Sequence, residues 1–150
     1  MWDQTALTPA PSTVRSEVLE QHETLRALMS RALDRTHAEQ RGDFIELAHL
    51  AHEIRRRFRT HVAFEERVLV PVLTSADVWG PERVRNLLDE HADQRAQLDA
   101  LIAGIEGGWE RPQIARALDA LARDILRDML EEERDYLNPE LLSDEPIATH

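Results

Sequence analysis

Four stretches of this chain place apolar residues at alternating steps of three and four, and this repeat limits the fold more than any other feature of the sequence. Such steps put residues on one face of an α-helix, so each stretch predicts a helix with one apolar stripe. Segments containing glycine, proline and aspartate separate the stretches. The predicted helices span about residues 13–36, 44–73, 81–105 and 112–137.

Each of the four stripes also contains polar residues. In chain order the stripes are Val18, His22, Leu25, Met29 and Ala32; Leu47, Ala51, Ile54, Phe58, His61, Glu65, Val68 and Val72; Val84, Leu88, His91, Arg95, Leu98, Ile102 and Ile105; and Leu118, Ala122, Ile125, Met129, then Glu132 or Glu133, then Tyr136. The pattern therefore predicts helices that bury an apolar face together with a few ionisable groups.

Four helices of this length with short connections predict a single-domain, all-α protein folded as an antiparallel up-down-up-down four-helix bundle. Stripes with alternating steps of three and four are typical of helices that cross at about 20°. We expect the bundle to occupy residues 13–141, between an N-terminal arm of residues 1–12 and a C-terminal tail of residues 142–150.

Capping and helix-breaking residues mark the ends of the predicted helices. Ser12 or Thr13 is suited to cap the first helix, and Asp43 followed by Glu46 resembles a capping box before the second. Pro71 falls in the last turn of the second predicted helix, where it either kinks or ends that helix.

Charge and cysteine content restrict the classes of partner and of site. The formal net charge is −11, which predicts that the chain binds neither nucleic acid nor an anionic membrane surface. The chain has no cysteine, so any metal must be held by imidazole, carboxylate, phenolate or water. The start of the sequence does not resemble a signal peptide, and no apolar stretch approaches membrane-spanning length, so we expect a cytoplasmic protein.

The polar residues on the stripes are the candidate functional groups. His61 and Glu65 are four residues apart and therefore lie on the same helix face, where both can reach one ion. Imidazole together with carboxylate suits iron, manganese or zinc. The simpler interpretations are a hydrogen-bonded core histidine for His22, a buried ion pair for His61 with Glu65, and a solvated acidic run for residues 131–133.

Four stretches together carry a resemblance to a known family. They are EQHETLRALM around His22, THVAFEERVLVPVL around His61 and Glu65, LLDEHADQRAQL around His91, and DMLEEERDYLNPEL near the end. With these stretches the chain resembles a hemerythrin-like, or HHE cation-binding, domain from His22 to about Leu141. The resemblance implies a non-heme di-iron centre inside the bundle, with two bridging carboxylates.

Carried onto this sequence, the resemblance assigns metal-ligand roles to five residues. It implies one iron held by His22 and His61, a second held by His91, and bridging carboxylates from Glu65 and Glu133. We place Glu133 ahead of Glu132 as the carboxylate that faces inward. No catalytic residue and no organic cofactor site is implied.

Two departures from the family pattern fall on the second iron. Met129 stands where the family has a histidine on the fourth helix, and a thioether is a poor ligand for ferric ion. Arg95 stands where some members have a second histidine, and we expect its charge to lie near the bridging carboxylates. We therefore predict one firmly bound metal and a second bound weakly or not at all, with Tyr136 as an alternative donor.

The resemblance and the retained residues together predict a non-heme iron-binding protein. We expect it to respond to O₂, NO or peroxide in a sensing, storage or stress role, with a small diatomic molecule as its ligand. Manganese or zinc are alternative metals, and the pattern favours a binding protein over an enzyme. The alternative function is a metal-free, vestigial bundle that acts as a protein-interaction module, although no protein partner is indicated.

Overall fold

The computed structural model describes residues 9–37 and 44–145 of the chain, and all of its regular structure there is helical. The helices are α1 (Pro11–His37), α2 (Phe44–Phe64), α3 (Val70–Thr74), α4 (Gly80–Glu106) and α5 (Arg111–Asp135). A π-helical turn over Glu65–Leu69 joins α2 to α3, so these three pieces form one rod. No helix within the described ranges is both long and apolar enough to cross a membrane.

The four rods pack as the predicted four-helix bundle. Helix α1 packs against α2 and α5, and α4 packs against the same two helices from the other side. The all-α four-helix bundle predicted from the stripes is therefore confirmed.

The apolar interior consists of two clusters that meet a polar layer. The main core is built by residues of α1, α2, α4 and α5, among them Leu25, Ile54, Leu98 and Ile125. The second cluster lies at the other end of the rods, and its buried members are Val14, Val18, Leu69, Leu73, Leu87, Leu137 and Leu142. Between the two clusters every rod contributes at least one buried polar residue: His22, His61 with Glu65, His91 with Gln94, and Glu132.

The π-helical turn explains why the second stripe departs from the prediction. Leu69 and Leu73 are fully buried, whereas the predicted Val68 and Val72 are only half-buried. In this turn the N–H of Val70 bonds to the carbonyl of Glu65, five residues back, so the wider turn shifts the buried face by one residue. Pro71 lacks an N–H and lies just after this turn, and the helix continues past it to Thr74.

The buried face of helix α4 also differs from the predicted one, by a smaller amount. Leu87 and Gln94 are buried, while Leu88 is exposed and Arg95 is half-buried. The stripe on this helix is therefore rotated by one residue from the prediction over its first half, and His91 keeps its inward position.

Contacts at the helix ends also differ from the predicted caps. Helix α1 begins at Pro11, and Ser12 donates from its N–H and its hydroxyl to the carboxylate of Asp144, at 2.8 and 2.5 Å. Ser12 therefore ties the start of α1 to the C-terminal segment, and neither Ser12 nor Thr13 is the residue before the helix. The predicted capping box at Asp43 lies outside the described residues.

Glycines shape the connection from α4 to α5. Gly108 has a φ of 94°, in the left-handed region that favours glycine. The ring of Trp109 packs on Gly104, where an added Cβ would lie 2.3 Å from the indole Cδ2. The start of α5 is then held by a capping box between Glu110 and Gln113.

Truncation of the main core should destabilise the bundle strongly. Ile54 is 0 % exposed, so Ile54→Ala should lower the free energy of unfolding by about 2–5 kcal/mol through lost burial and the cavity it leaves. Ile45 lies on the same helix and is 67 % exposed, so Ile45→Ala should change it by no more than about 0.5 kcal/mol. Denaturant unfolding of both variants measures the difference, and equal losses would contradict the assigned core.

Candidate metal centre

Four buried side chains converge in the polar layer of the bundle. They are His22 of α1, His61 of α2, Glu65 at the start of the π-helical turn, and Glu132 of α5. Each offers one nitrogen or oxygen atom, and these four atoms all lie within 4.8 Å of one another. Three rods therefore bring two imidazoles and two carboxylates to one point, although the residues are far apart in sequence.

His61 is oriented by a glutamine outside the cluster. Its Nδ1–H donates to the side-chain oxygen of Gln21 at 2.7 Å, which leaves the lone pair of Nε2 facing inward. That Nε2 lies 2.8 Å from Oε1 of Glu65. A nitrogen lone pair and a carboxylate oxygen at this distance need a proton or a cation between them.

His22 is oriented in the same way by Glu133. Its Nδ1–H donates to Oε2 of Glu133 at 2.7 Å, and Nε2 lies 3.5 Å from Oε1 of Glu132. Arg26 also donates to Glu133. The rings of His22 and His61 meet edge to face with centroids 5.0 Å apart. An outer acceptor that fixes the tautomer of a histidine is the usual partner of a metal-ligating imidazole.

The structure places Glu132, rather than Glu133, inside the cluster. Glu132 is 6 % exposed, whereas Glu133 lies at the edge with His22 and Arg26. The preference for Glu133 as the inward residue therefore differs from the structure. The reason lies in the helix phase, because steps of four and three from Leu118 lead to Met129 and then, by a step of three, to Glu132. The regular continuation of the stripe was the signal for Glu132.

His91 lies next to the cluster and contacts the same carboxylate. Its Nε2 is 3.2 Å from Oε1 of Glu65, the oxygen that also faces His61, and its Nδ1 is 3.3 Å from Glu66. Arg95 donates to Glu66 at 3.1 Å. The half-buried guanidinium of Arg95 is therefore held by Glu66, the residue after Glu65, and its effect on the bridging carboxylates remains a prediction.

Three buried atoms of the cluster lack a hydrogen-bond partner among the described residues. They are Nε2 of His22, Oε2 of Glu65 and Oε1 of Glu132. Leaving one buried polar atom unsatisfied is costly, and three such atoms on residues of one cluster form an unfavourable arrangement unless an ion compensates them. The donor set of two imidazoles and two carboxylates fits iron, manganese or zinc.

The electrostatics of the cluster point to the same conclusion. Burial raises the pKa of Glu132 well above its usual range, and the neighbouring charge of Glu65 adds to the rise. Burial opposes ionisation of Glu65 as well, but hydrogen bonds from Glu132 and His61 hold the pKa of Glu65 well below its usual range. Burial and the charge of His61 lower the pKa of His22, which keeps this imidazole neutral and able to donate a lone pair. The two carboxylates thus share a proton where a cation would fit.

Comparison with known families agrees with this geometry. The family model of the hemerythrin HHE cation-binding domain matches residues 13–141 of the chain. The chain belongs to the hemerythrin HHE family. A search of curated proteins and a search of solved structures each found no match. The family resemblance predicted from the four stretches is thus confirmed.

The other residues singled out in this HHE domain lie near the cluster without joining it. Met129 is buried in the main core and lines the small cavity beside Glu132. Tyr136 packs partly buried against the second apolar cluster and bonds to Asn86. Ligation by His22, His61, Glu65, His91 or Glu133, and donation by Tyr136, remain predictions.

The sequence reasoning missed three residues that line the same cavity. This enclosed space of about 10 Å³ is bordered by Glu90, Gln94 and Asp128, together with His61, Glu65 and Glu132 of the cluster. Each of these side chains shares a helix face with another of the group, since Glu90 precedes Gln94 by four residues and Asp128 precedes Glu132 by four. That spacing was the available signal.

Removing one buried carboxylate should stabilise the metal-free protein in a pH-dependent way. The folded state holds a proton on Glu132 at pH values where the unfolded chain has released it, so stability of the metal-free protein falls as the pH rises above about 4.5. Glutamine cannot titrate. We therefore expect the melting temperature of Glu132→Gln, measured in chelator, to increase relative to that of the unsubstituted protein as the pH rises from 5 to 8.

The matched control for this experiment is Glu17→Gln, since Glu17 is exposed on α1. Its melting temperature should follow that of the unsubstituted protein across the pH range. If the difference in melting temperature between Glu132→Gln and the unsubstituted protein is constant or becomes smaller toward pH 8, Glu132 does not hold the shared proton.

Proposed function

We propose that this HHE domain is a non-heme iron-binding protein that responds to O₂, NO or peroxide. The single observation that carries the proposal is that three buried atoms of the cluster, one each from His22, Glu65 and Glu132, have no hydrogen-bond partner among the described residues. With His61, these residues supply two nitrogens and two oxygens. We assign to Glu132 the role that the family resemblance implied for Glu133.

The surrounding residues prepare the site before any ion arrives. Gln21 and Glu133 hold the two imidazoles with their lone pairs inward, so little ordering is needed on binding. The side chain of Phe58, which is 3 % exposed, lines the cavity beside Glu65 and helps to exclude water. Glu132 holds a proton that it would give up to the incoming cation.

Membership of the hemerythrin HHE family favours iron among the metals that this donor set fits. A ferrous ion held by two imidazoles and two carboxylates would supply a redox-active centre with coordination positions open to a small molecule. A surface cleft of about 380 Å³ between α1 and α2 has Gln21, Thr60 and His61 in its lining, so the cleft reaches the outer side of the His61 imidazole. These features support sensing or storage of a diatomic ligand.

Metal content tests the binding part of the proposal. We expect protein produced with iron and purified without chelator to retain one firmly bound iron per chain in elemental analysis. His61→Ala should lose that iron, because the imidazole nearest to Glu65 is removed. His52→Ala is the control, since His52 is exposed on the same helix and should retain the metal. Iron should also raise the melting temperature, by mass action.

The alternative functions predict different results in the same measurement. A vestigial, metal-free bundle that acts as an interaction module would contain no iron and would show the same melting temperature with and without added iron. Preferential retention of manganese or zinc from a mixture would leave the site in place and would contradict its assignment to iron.

Ligand binding tests the responsive part of the proposal. Reduced, iron-loaded protein without oxygen should show new visible absorption bands when NO is added, because four protein ligands leave coordination positions open. The His61→Ala variant should show none, and His52→Ala should match the unsubstituted protein. Unchanged spectra for an iron-loaded protein would restrict the function to metal binding alone.

A further inference from the structure

We propose that the surface cleft between α1 and α2 binds a phosphate group, either as inorganic phosphate or on a small organic molecule. The side chain of Gln21 lines this cleft and also contacts His61, so it would connect the phosphate to the candidate metal centre. Phosphate binding itself requires no metal, whereas its effect on the metal centre rests on the proposed function.

The cleft offers hydrogen-bond donors and no carboxylate. Among the described residues, its polar lining consists of Gln21, Thr24, Arg56, Arg57, Thr60 and His61. These residues follow one another at steps of three and four along each helix, so they form the two facing walls. In a chain with 29 acidic and 18 basic residues, two arginines without an acid in the same cleft form a local site of positive charge.

The guanidiniums of the cleft are not neutralised by carboxylates. Arg56 is exposed and forms no ion pair with another described residue. The contact of Arg57 with Glu53 is 3.7 Å, which is too long for a hydrogen bond, and Arg31 approaches the same carboxylate at 3.3 Å. The N–H donors of Arg56 and Arg57 therefore remain available. Guanidinium presents paired donors that match two oxygens of a phosphate.

The wall on α1 supplies two further donors. Gln21 accepts from Nδ1 of His61 through its side-chain oxygen at 2.7 Å, and its amide NH₂ has no acceptor among the described residues. The hydroxyl of Thr24 donates to the carbonyl of Glu20 at 3.5 Å, a long contact that a stronger acceptor can replace. A phosphate has oxygens for all of these donors, whereas a carboxylate has only two. The donor set therefore favours phosphate.

Charge and size make the cleft specific. The formal net charge of −11 repels anions from most of the surface, so phosphate binding has to come from a local group of donors. The volume of about 380 Å³ lies within the range of sites for small organic ligands. The apolar side chain of Leu25 also lines the cleft and can contact the organic part of such a ligand.

Gln21 gives the phosphate site an effect on the metal centre. A phosphate oxygen that accepts from the amide of Gln21 polarises this amide and makes its oxygen a stronger acceptor, because consecutive hydrogen bonds reinforce one another. The Nδ1–H of His61 is then held more strongly, and Nε2 becomes a better donor to a metal. By linkage, phosphate and metal would each raise the affinity of the chain for the other.

Calorimetric titration of inorganic phosphate into chelator-treated full-length protein, at constant ionic strength, tests the site. We expect one saturable site per chain. The variant Arg56→Gln/Arg57→Gln should raise the dissociation constant by about tenfold or more, since it removes charge-assisted hydrogen bonds. The matched control is Arg85→Gln/Arg116→Gln, which makes the same charge change at exposed positions outside the cleft and should leave the dissociation constant unchanged.

A titration with glycerol phosphate identifies the source of the phosphate group. Tighter binding of glycerol phosphate than of inorganic phosphate supports the site and assigns it to an organic phosphate. Equal or weaker binding of glycerol phosphate, with inorganic phosphate bound, supports the site and assigns it to the free ion.

Nuclear magnetic resonance of the metal-free protein measures the connection through Gln21. Adding phosphate should shift the side-chain Nδ1–H resonance of His61. The variant Gln21→Glu should weaken phosphate binding and abolish this shift, because its carboxylate keeps an acceptor for His61 and removes the amide donor.

Four outcomes would contradict the proposal. The site is overturned if the unsubstituted protein shows no saturable binding, if Arg56→Gln/Arg57→Gln binds phosphate undiminished, or if the control variant is weakened equally. Saturable binding without a shift of His61 would overturn the connection to the metal centre. Iron content is measured separately, so failure of this proposal and failure of the proposed function are distinguishable. Circular dichroism and melting curves of each variant verify that it is folded.

Discussion

The close approach of two carboxylates in the middle of the bundle is the interaction on which the rest of the structure depends. Glu65 and Glu132 are both buried, and neither can be charged there without strong compensation. The imidazoles of His22 and His61 face this pair with their lone pairs, and each imidazole is held from behind by an acceptor. The layer is therefore arranged for a positive charge at its centre, and a shared proton fills that role in the metal-free protein.

Much of this arrangement could be predicted from the periodic pattern of the sequence. Regular stripes define the faces of four helices, and His22, His61, Glu65 and His91 fall on those faces and are buried. The exact phase was harder to predict, because residues three and four positions further on are both compatible with 3.6 residues per turn. Glu132 and its neighbour are both glutamates, so hydrophobicity could not separate them.

Other features leave almost no trace in a hydrophobic pattern. The π-helical turn Glu65–Leu69 depends on one backbone bond spanning five residues instead of four, and several apolar residues in a row there fit either register. Glu90 and Asp128 are half-buried carboxylates in a chain with 29 acidic residues, so nothing in their type marks them out. Their four-residue spacing from Gln94 and Glu132 indicates a shared helix face, but only the packing of two helices shows that both faces meet at the cavity.

The polar layer also divides the interior of the bundle into two apolar clusters of unequal size. Cooperative unfolding is transmitted through continuous packing, so a charged layer between the clusters weakens the link between the two ends of the rods. The small cluster around Val18, Leu73 and Leu87 is then a candidate unit of partial opening, with amide hydrogen exchange faster than in the main core. An ion held by residues of three rods would couple the two clusters. Metal occupancy would therefore determine how much of the bundle unfolds cooperatively.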